Sequence, residues 1–128
     1  RNAMDEFALI FNRVPELSAV IVSGGDGITL LKFPKVEAAS ADGSESSTNF
    51  ETAFAVAEDA ISKLGIGFSK TITVMYENQV VVHMNMHPLV VTFVASPNVN
   101  IALILSLFPK LKIALEPVRV ALERVPNQ

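Results

Sequence analysis

The side chains with the widest chemical reach in this chain are its two histidines, His83 and His87. Four residues apart, they would share a metal on a helix. The β-branched and apolar run 80–86 (VVVHMNM) reads instead as a strand, where that spacing separates them by ~13 Å. The chain has no cysteine, and no carboxylate near either histidine completes a ligand set, so the expectation is no metal. Gly24-Gly25-Asp26-Gly27 resembles a phosphate-cradling loop, yet a P-loop needs Lys and Ser/Thr after its glycines at the head of a helix. An apolar strand pattern follows here, so the glycines read as a hairpin turn. There is no Gly-x-Ser-x-Gly elbow, and the serines gather at 40–47, where nothing holds them in register with a base. Glu37, Asp42 and Glu45 fall in that same polar stretch, and Glu58-Asp59 sits on the polar side of a helical pattern. No carboxylate pair is placed for a raised pKa. Catalytic residues, metal ligands and cofactors are therefore expected to be absent, and the chain is expected not to be an enzyme.

Composition agrees with a binding role. At 128 residues there is room for one domain, which we place over the whole chain. Ten basic against thirteen acidic side chains give a net charge of −3, which offers no general attraction to nucleic acid or to anionic lipid. Hydrophobic residues make up 50% of the chain and charged residues 18%, with a mean hydropathy of +0.41, which points to apolar surface that meets a partner. The longest apolar run, 101–108, is far short of the ~20 residues of a membrane span. The start carries no signal-peptide pattern, Arg1-Asn2-Ala3 read as residues ahead of a natural start at Met4, and the lack of cysteine fits a reducing, intracellular compartment.

The elements that position these residues follow from periodicity. Phe7, Ile10, Phe11 and Val14 form one helical stripe closed by Pro15, with Asp5 and Glu6 at the positive end of the dipole. Segments 18–23 and 28–33 read as a hairpin around the glycine turn. Segment 34–47 holds almost nothing large and apolar and reads as a mobile loop. Thr48 and Glu51 have capping-box spacing, and Phe50, Phe54, Ala57, Ile61 and Leu64 make a stripe ending at Gly65. Ala53, Ala55, Ala57 and Ala60 leave room for close approach, which suggests two buried faces on this helix. Segments 71–76, 80–86 and 89–95 read as three strands with short joints, hence an antiparallel meander, and the last is apolar on both faces as a central strand should be. Ser96-Pro97 has the signature of a helix start, and Pro109 and Pro117 are expected to kink or break the helix that follows. The order is αββαβββα: an α/β fold of the α+β type, one five-stranded antiparallel sheet between layers of helix.

Within that frame, the run Thr71, Ile72, Thr73, Val74, Met75, Tyr76 has neither proline nor charge to guard it, so at a sheet edge its backbone invites a second strand. Of Met75, Met84 and Met86, two are expected in the core. Lys110, Lys112, Arg119 and Arg124 form a basic edge on the last helix, which either meets an acidic patch or only keeps the helix solvated.

Ser62-Lys63-Leu64-Gly65, the stretch 79–82, the hairpin 19–32 and above all PLVVTFVAS at 88–96 resemble the MAP-kinase scaffold subunits of Ragulator complexes, within the roadblock/dynein-light-chain family. The resemblance implies a roadblock-like sheet with strand three on one edge and strand five inside. It also implies a noncatalytic scaffold that pairs with a second roadblock subunit through Thr71 to Tyr76, with Phe54, Ala57, Ala60, Ile61 and Leu64 as the packing positions of the second helix. Other Ragulator subunits, MEK and ERK kinases and Rag GTPases are the implied partners, in TOR kinase signalling. The implied place is the cytosolic face of late endosomes and lysosomes, reached through a lipidated companion. A homodimeric roadblock adaptor for dynein cargo, or a regulator of a small GTPase, is the alternative, and a small-molecule sensor or enzyme on a similar frame would need a concave pocket with convergent polar groups.

Overall fold

The computed structural model describes residues 2–34, 45–64, 71–76 and 78–124. Helix α1 (Ala3–Arg13) begins where the Asn2 side chain accepts a hydrogen bond from the Asp5 N–H at 2.8 Å, with Asp5 and Glu6 in its first turn and Arg13 in its last. Both ends thus suit the helix dipole. Its stripe buries Phe7 and Ile10, and Phe11 meets Phe33 with ring centroids 4.9 Å apart.

Strand β1 (Leu17–Gly24) runs into β2 (Thr29–Phe33) through the glycine turn. There the Gly27 N–H donates to Gly24 O at 3.0 Å, and Gly27 holds φ +86°, a conformation glycine adopts without a Cβ penalty. Strand β2 starts one residue later than its β-branched pattern implies. Asp26 Oδ1 accepts the Ile28 N–H at 3.0 Å, and the register slips between Val22 and Ser23 to bypass Leu30.

Helix α2 (Glu45–Ser62) starts before the capping box at Thr48, so Glu45, Ser46 and Ser47 of the expected loop are helical. Extending an existing helix by three residues costs no new nucleation, and a capping pattern inside it is overridden. The rest of the expected mobile loop, 35–44, lies outside the described residues, as does the expected cap at Gly65.

Strands β3 (Ile72–Tyr76), β4 (Gln79–Met86) and β5 (Leu89–Ala95) complete one antiparallel sheet in the order β2-β1-β5-β4-β3. All seven residues of β5 are buried, as its two apolar faces require. The chain then forms three short helices, α3 (Ile101–Leu105), α4 (Phe108–Ala114) and α5 (Glu116–Glu123). Ser96 and Pro97 do not start a helix. They sit in a turn in which the Val99 N–H donates to Ser96 O, and Asn100 caps α3 by accepting from the Leu103 N–H. Pro109 and Pro117 lie in the first turns of α4 and α5, where a missing N–H leaves no intrahelical bond unmade.

The alternation of side chains across the strands divides the core in two. Val20, Val22, Val82, Met84, Val91 and Phe93 pack against Phe7, Ile10, Ile104, Leu111 and Leu115 of the α1 and α3–α5 layer. On the other face Ala19, Ile21, Val81 and Val94 meet Ala53, Phe54, Ala57 and Ala60 of α2. Met84 and Met86 are core residues and Met75 is 62% exposed.

Candidate interaction edge

Strand β3 is held on one side only, by β4, with Ile72 opposite His83, Val74 opposite Val81 and Tyr76 opposite Gln79. No strand covers its outer side among the described residues. Thr73 and Met75 are exposed, while Ile72 and Val74, which share the α2 face with Val81 and His83, are half-buried. Thr71 lies exposed just ahead of the strand. The run therefore combines an open backbone edge with apolar side chains on both faces, the combination that strand addition satisfies.

Behind it, His83 is buried on β4 and shares a hydrogen bond of 2.8 Å between its Nδ1 and Thr92 Oγ1 on β5. Burial pushes its pKa down to about 4, so the imidazole stays neutral and serves as a polar tie between strands. His87 is exposed in the β4–β5 turn. Among the described residues no three His, Cys, Asp or Glu side chains gather as a metal site would need.

The second helix presents a different surface from the one its apolar stripe suggests. Phe54, Ala57 and Ala60 are buried in the chain's own core with Ala19, Ile21, Val81 and Val94 of β1, β4 and β5. Ile61 is half-buried and lies 3.9 Å from where a Gly27 Cβ would stand, toward the β1–β2 turn. Lys32 on β2 pairs with Glu58 at 3.1 Å and stands 5.3 Å over the Phe54 ring, which fixes that flank of α2 above β2. The 3.6-residue period then turns Thr52 and Val56 toward the β4 and β3 side. Ala55 is exposed, so α2 has one buried face in the isolated chain, and the second face expected from its alanines is open. One sheet can cover only one side of a helix.

The basic edge is partly neutralised. Arg119 is bound by Glu116 and Glu123 on α5, its hydrogen bond holds the Glu116 carboxyl below its usual range, and Lys110, Lys112 and Arg124 remain exposed.

The overall fold is shared with solved structures. A Roadblock/LC7 domain from Streptomyces avermitilis superposes with a TM-score of 0.56 at 13% identity, covering 87% of this chain and 92% of that one. The gliding protein MglB of Thermus thermophilus gives 0.57 at 10% identity, over 93% and 89%. These likenesses define a roadblock fold. The family model described as "Mitogen-activated protein kinase kinase 1 interacting" matches residues 2–122, and the chain belongs to that family. Ragulator complex protein LAMTOR3 of Xenopus tropicalis is 38% identical over 112 residues, 86% of each chain. Its counterpart in Bos taurus is 36% identical over 117 residues, 89% of this chain and 92% of the relative.

Proposed function

We propose that this chain is a noncatalytic scaffold subunit that acts as one half of a roadblock heterodimer within a Ragulator-like complex. The observation that carries the reading is the open edge of β3, where the exposed Met75 and the half-buried Ile72 and Val74 flank a backbone with no outer partner among the described residues. Joined to the equivalent strand of a companion subunit, β3 extends one sheet through both chains. The open face of α2, with the exposed Ala55 and the half-buried Val56 at its flank, then meets the companion's second helix, and Leu64 just beyond α2 lies at the margin of that contact. A typical interface hides ~800 Å² per partner around apolar anchors, more than one strand edge supplies, so strand and helix are both needed.

Family membership and relatives that carry the Ragulator name support the wider assembly. In it the pair presents surfaces to MEK and ERK kinases and to Rag GTPases in TOR kinase signalling, on the cytosolic face of late endosomes and lysosomes. No described helix is long and apolar enough to cross a membrane. The resemblance to Ragulator subunits supports attachment through a lipidated companion. Light-scattering mass, measured alone and after mixing with a companion roadblock subunit, tests the pairing. A one-to-one complex is expected. A self-dimer that ignores the companion favours a homodimeric cargo adaptor or GTPase regulator.

A further inference from the structure

The β1–β2 and β4–β5 turns lie at the same end of the sheet, and the last turn of α2 comes down beside them. Between them is a cavity of about 480 Å³, within the ~300–1,000 Å³ range of ligand pockets. No described residue of β3 lines it, so it lies away from the open strand edge, and Leu64 alone of its lining borders the proposed companion contact. Ser23, at the end of β1, is fully buried and faces this cavity, and its hydroxyl has no hydrogen-bond partner among the described residues. A buried hydroxyl left unpaired costs about 1–3 kcal/mol, so the site lacks a polar atom that an occupant can supply.

The charge of the lining says what kind of occupant. Asp26 and Glu58 stand at its rim, and the carboxyl end of α2, with Ser62 and Leu64, adds the negative end of the helix dipole. Lys32 offsets Glu58 by pairing with it, and His87 is the remaining titratable group of the lining among the described residues. A Cβ at Gly24 would stand 3.0 Å from Asp26 Oδ1, so glycine there lets the carboxylate fold back over the rim. Ile61, Pro88 and Val90 give the cavity apolar walls.

We propose that this cavity receives a lysine or arginine side chain of a partner polypeptide. The aliphatic stem lies along Ile61, Pro88 and Val90, the cationic head sits between Asp26 and the carboxyl end of α2, and Ser23 Oγ accepts one of its N–H groups. Stem and head each find the environment they need, apolar wall and acidic rim.

The test is a titration of the isotope-labelled full chain with N-acetyl-arginine methylamide, N-acetyl-lysine methylamide (free side-chain amine) and the uncharged N-acetyl-citrulline methylamide, followed at the amides of residues 23–27 and 62–64. Saturable shifts are expected with the two cations and at least about fivefold weaker binding of the citrulline compound, because a charge-assisted hydrogen bond is lost. Asp26→Asn keeps an acceptor for the Ile28 N–H while removing the charge, and is expected to weaken the arginine compound by about fivefold or more. Ser23→Ala removes the unpaired hydroxyl and is expected to weaken binding about threefold. Absence of saturable shifts, or equal response to the cationic and neutral compounds, overturns the proposal and leaves a cavity that holds solvent only. The comparison of compounds on the unaltered chain stands even if either variant folds poorly.

Discussion

His83 on β4 and Thr92 on β5 face each other across the ladder, and the 2.8 Å contact between Nδ1 and Oγ1 is a side-chain hydrogen bond buried beneath the α2 face of the sheet. It ties the strand that supports the open edge to the central strand. The next residue outward, Ile72 of β3, packs opposite the same histidine.

Burial of this histidine makes stability depend on pH. The unfolded histidine takes up a proton near its ordinary 6.5, whereas burial holds the folded one at about 4. Between these values the unfolded state binds more protons, so stability is full above pH 6.5 and falls as pH drops toward 4, by at most on the order of 3 kcal/mol. Urea midpoints taken from pH 7.5 to 5 are expected to decline in the native chain and to flatten in the double variant His83→Leu, Thr92→Val. An unchanged slope in that variant would assign the loss to other groups.

Blocking the edge should separate assembly from folding. Thr73→Pro removes a donor and places a ring on β3, and Met75→Lys puts a charge on an exposed side chain of the same strand. Each is expected to weaken companion binding by about tenfold or more. Light scattering and calorimetry on the same samples check it: a retained one-to-one complex in both variants rules out this edge, and a retained melting transition of Met75→Lys shows that the loss is not unfolding.

The two flanks of α2 should differ. Val56 lies on the flank turned toward β4 and β3, whereas Glu58 pairs with Lys32 on the far side. Val56→Asp is expected to weaken association by about 2 kcal/mol, and Glu58→Ala, which breaks an exposed pair, by less than about 0.5 kcal/mol. Titration calorimetry with the companion subunit distinguishes them, and equal effects would move the contact to another face of the helix.

Close packing of α2 depends on its alanines. Ala57 is fully buried in the cluster with Ala19, Ile21 and Val94. Ala57→Leu forces extra methylenes into that contact and is expected to cost about 1–3 kcal/mol in denaturant unfolding. The exposed Ala55 should accept leucine with little change in the isolated chain.

Much of this architecture is legible in the residues. Alternating and doubly apolar runs locate β1, β4 and β5, and the glycine turn fixes the hairpin because Gly27 needs a positive φ. Pro109 and Pro117 do break the last helical segment, although the sequence signal at Ser96-Pro97 is overruled by the Asn100 cap. What periodicity cannot show is which side of an amphipathic helix the chain's own sheet claims. The apolar stripe of α2 looks like an interface, and Phe54, Ala57 and Ala60 are used internally because β1 and β5 pass beneath them. The polar tie at His83 and the unpaired Ser23 depend on strands brought together from distant parts of the sequence, so neither has a local signal.

The pairing of β3 is tested most directly by hydrogen exchange at the amides of residues 71–76, with and without the companion roadblock subunit. Alternate amides of this strand, fast in the free chain, are expected to become strongly protected in the complex while those of β2 at the opposite edge stay unchanged. Protection that arises at β2 or elsewhere, with 71–76 exchanging as before, would contradict it.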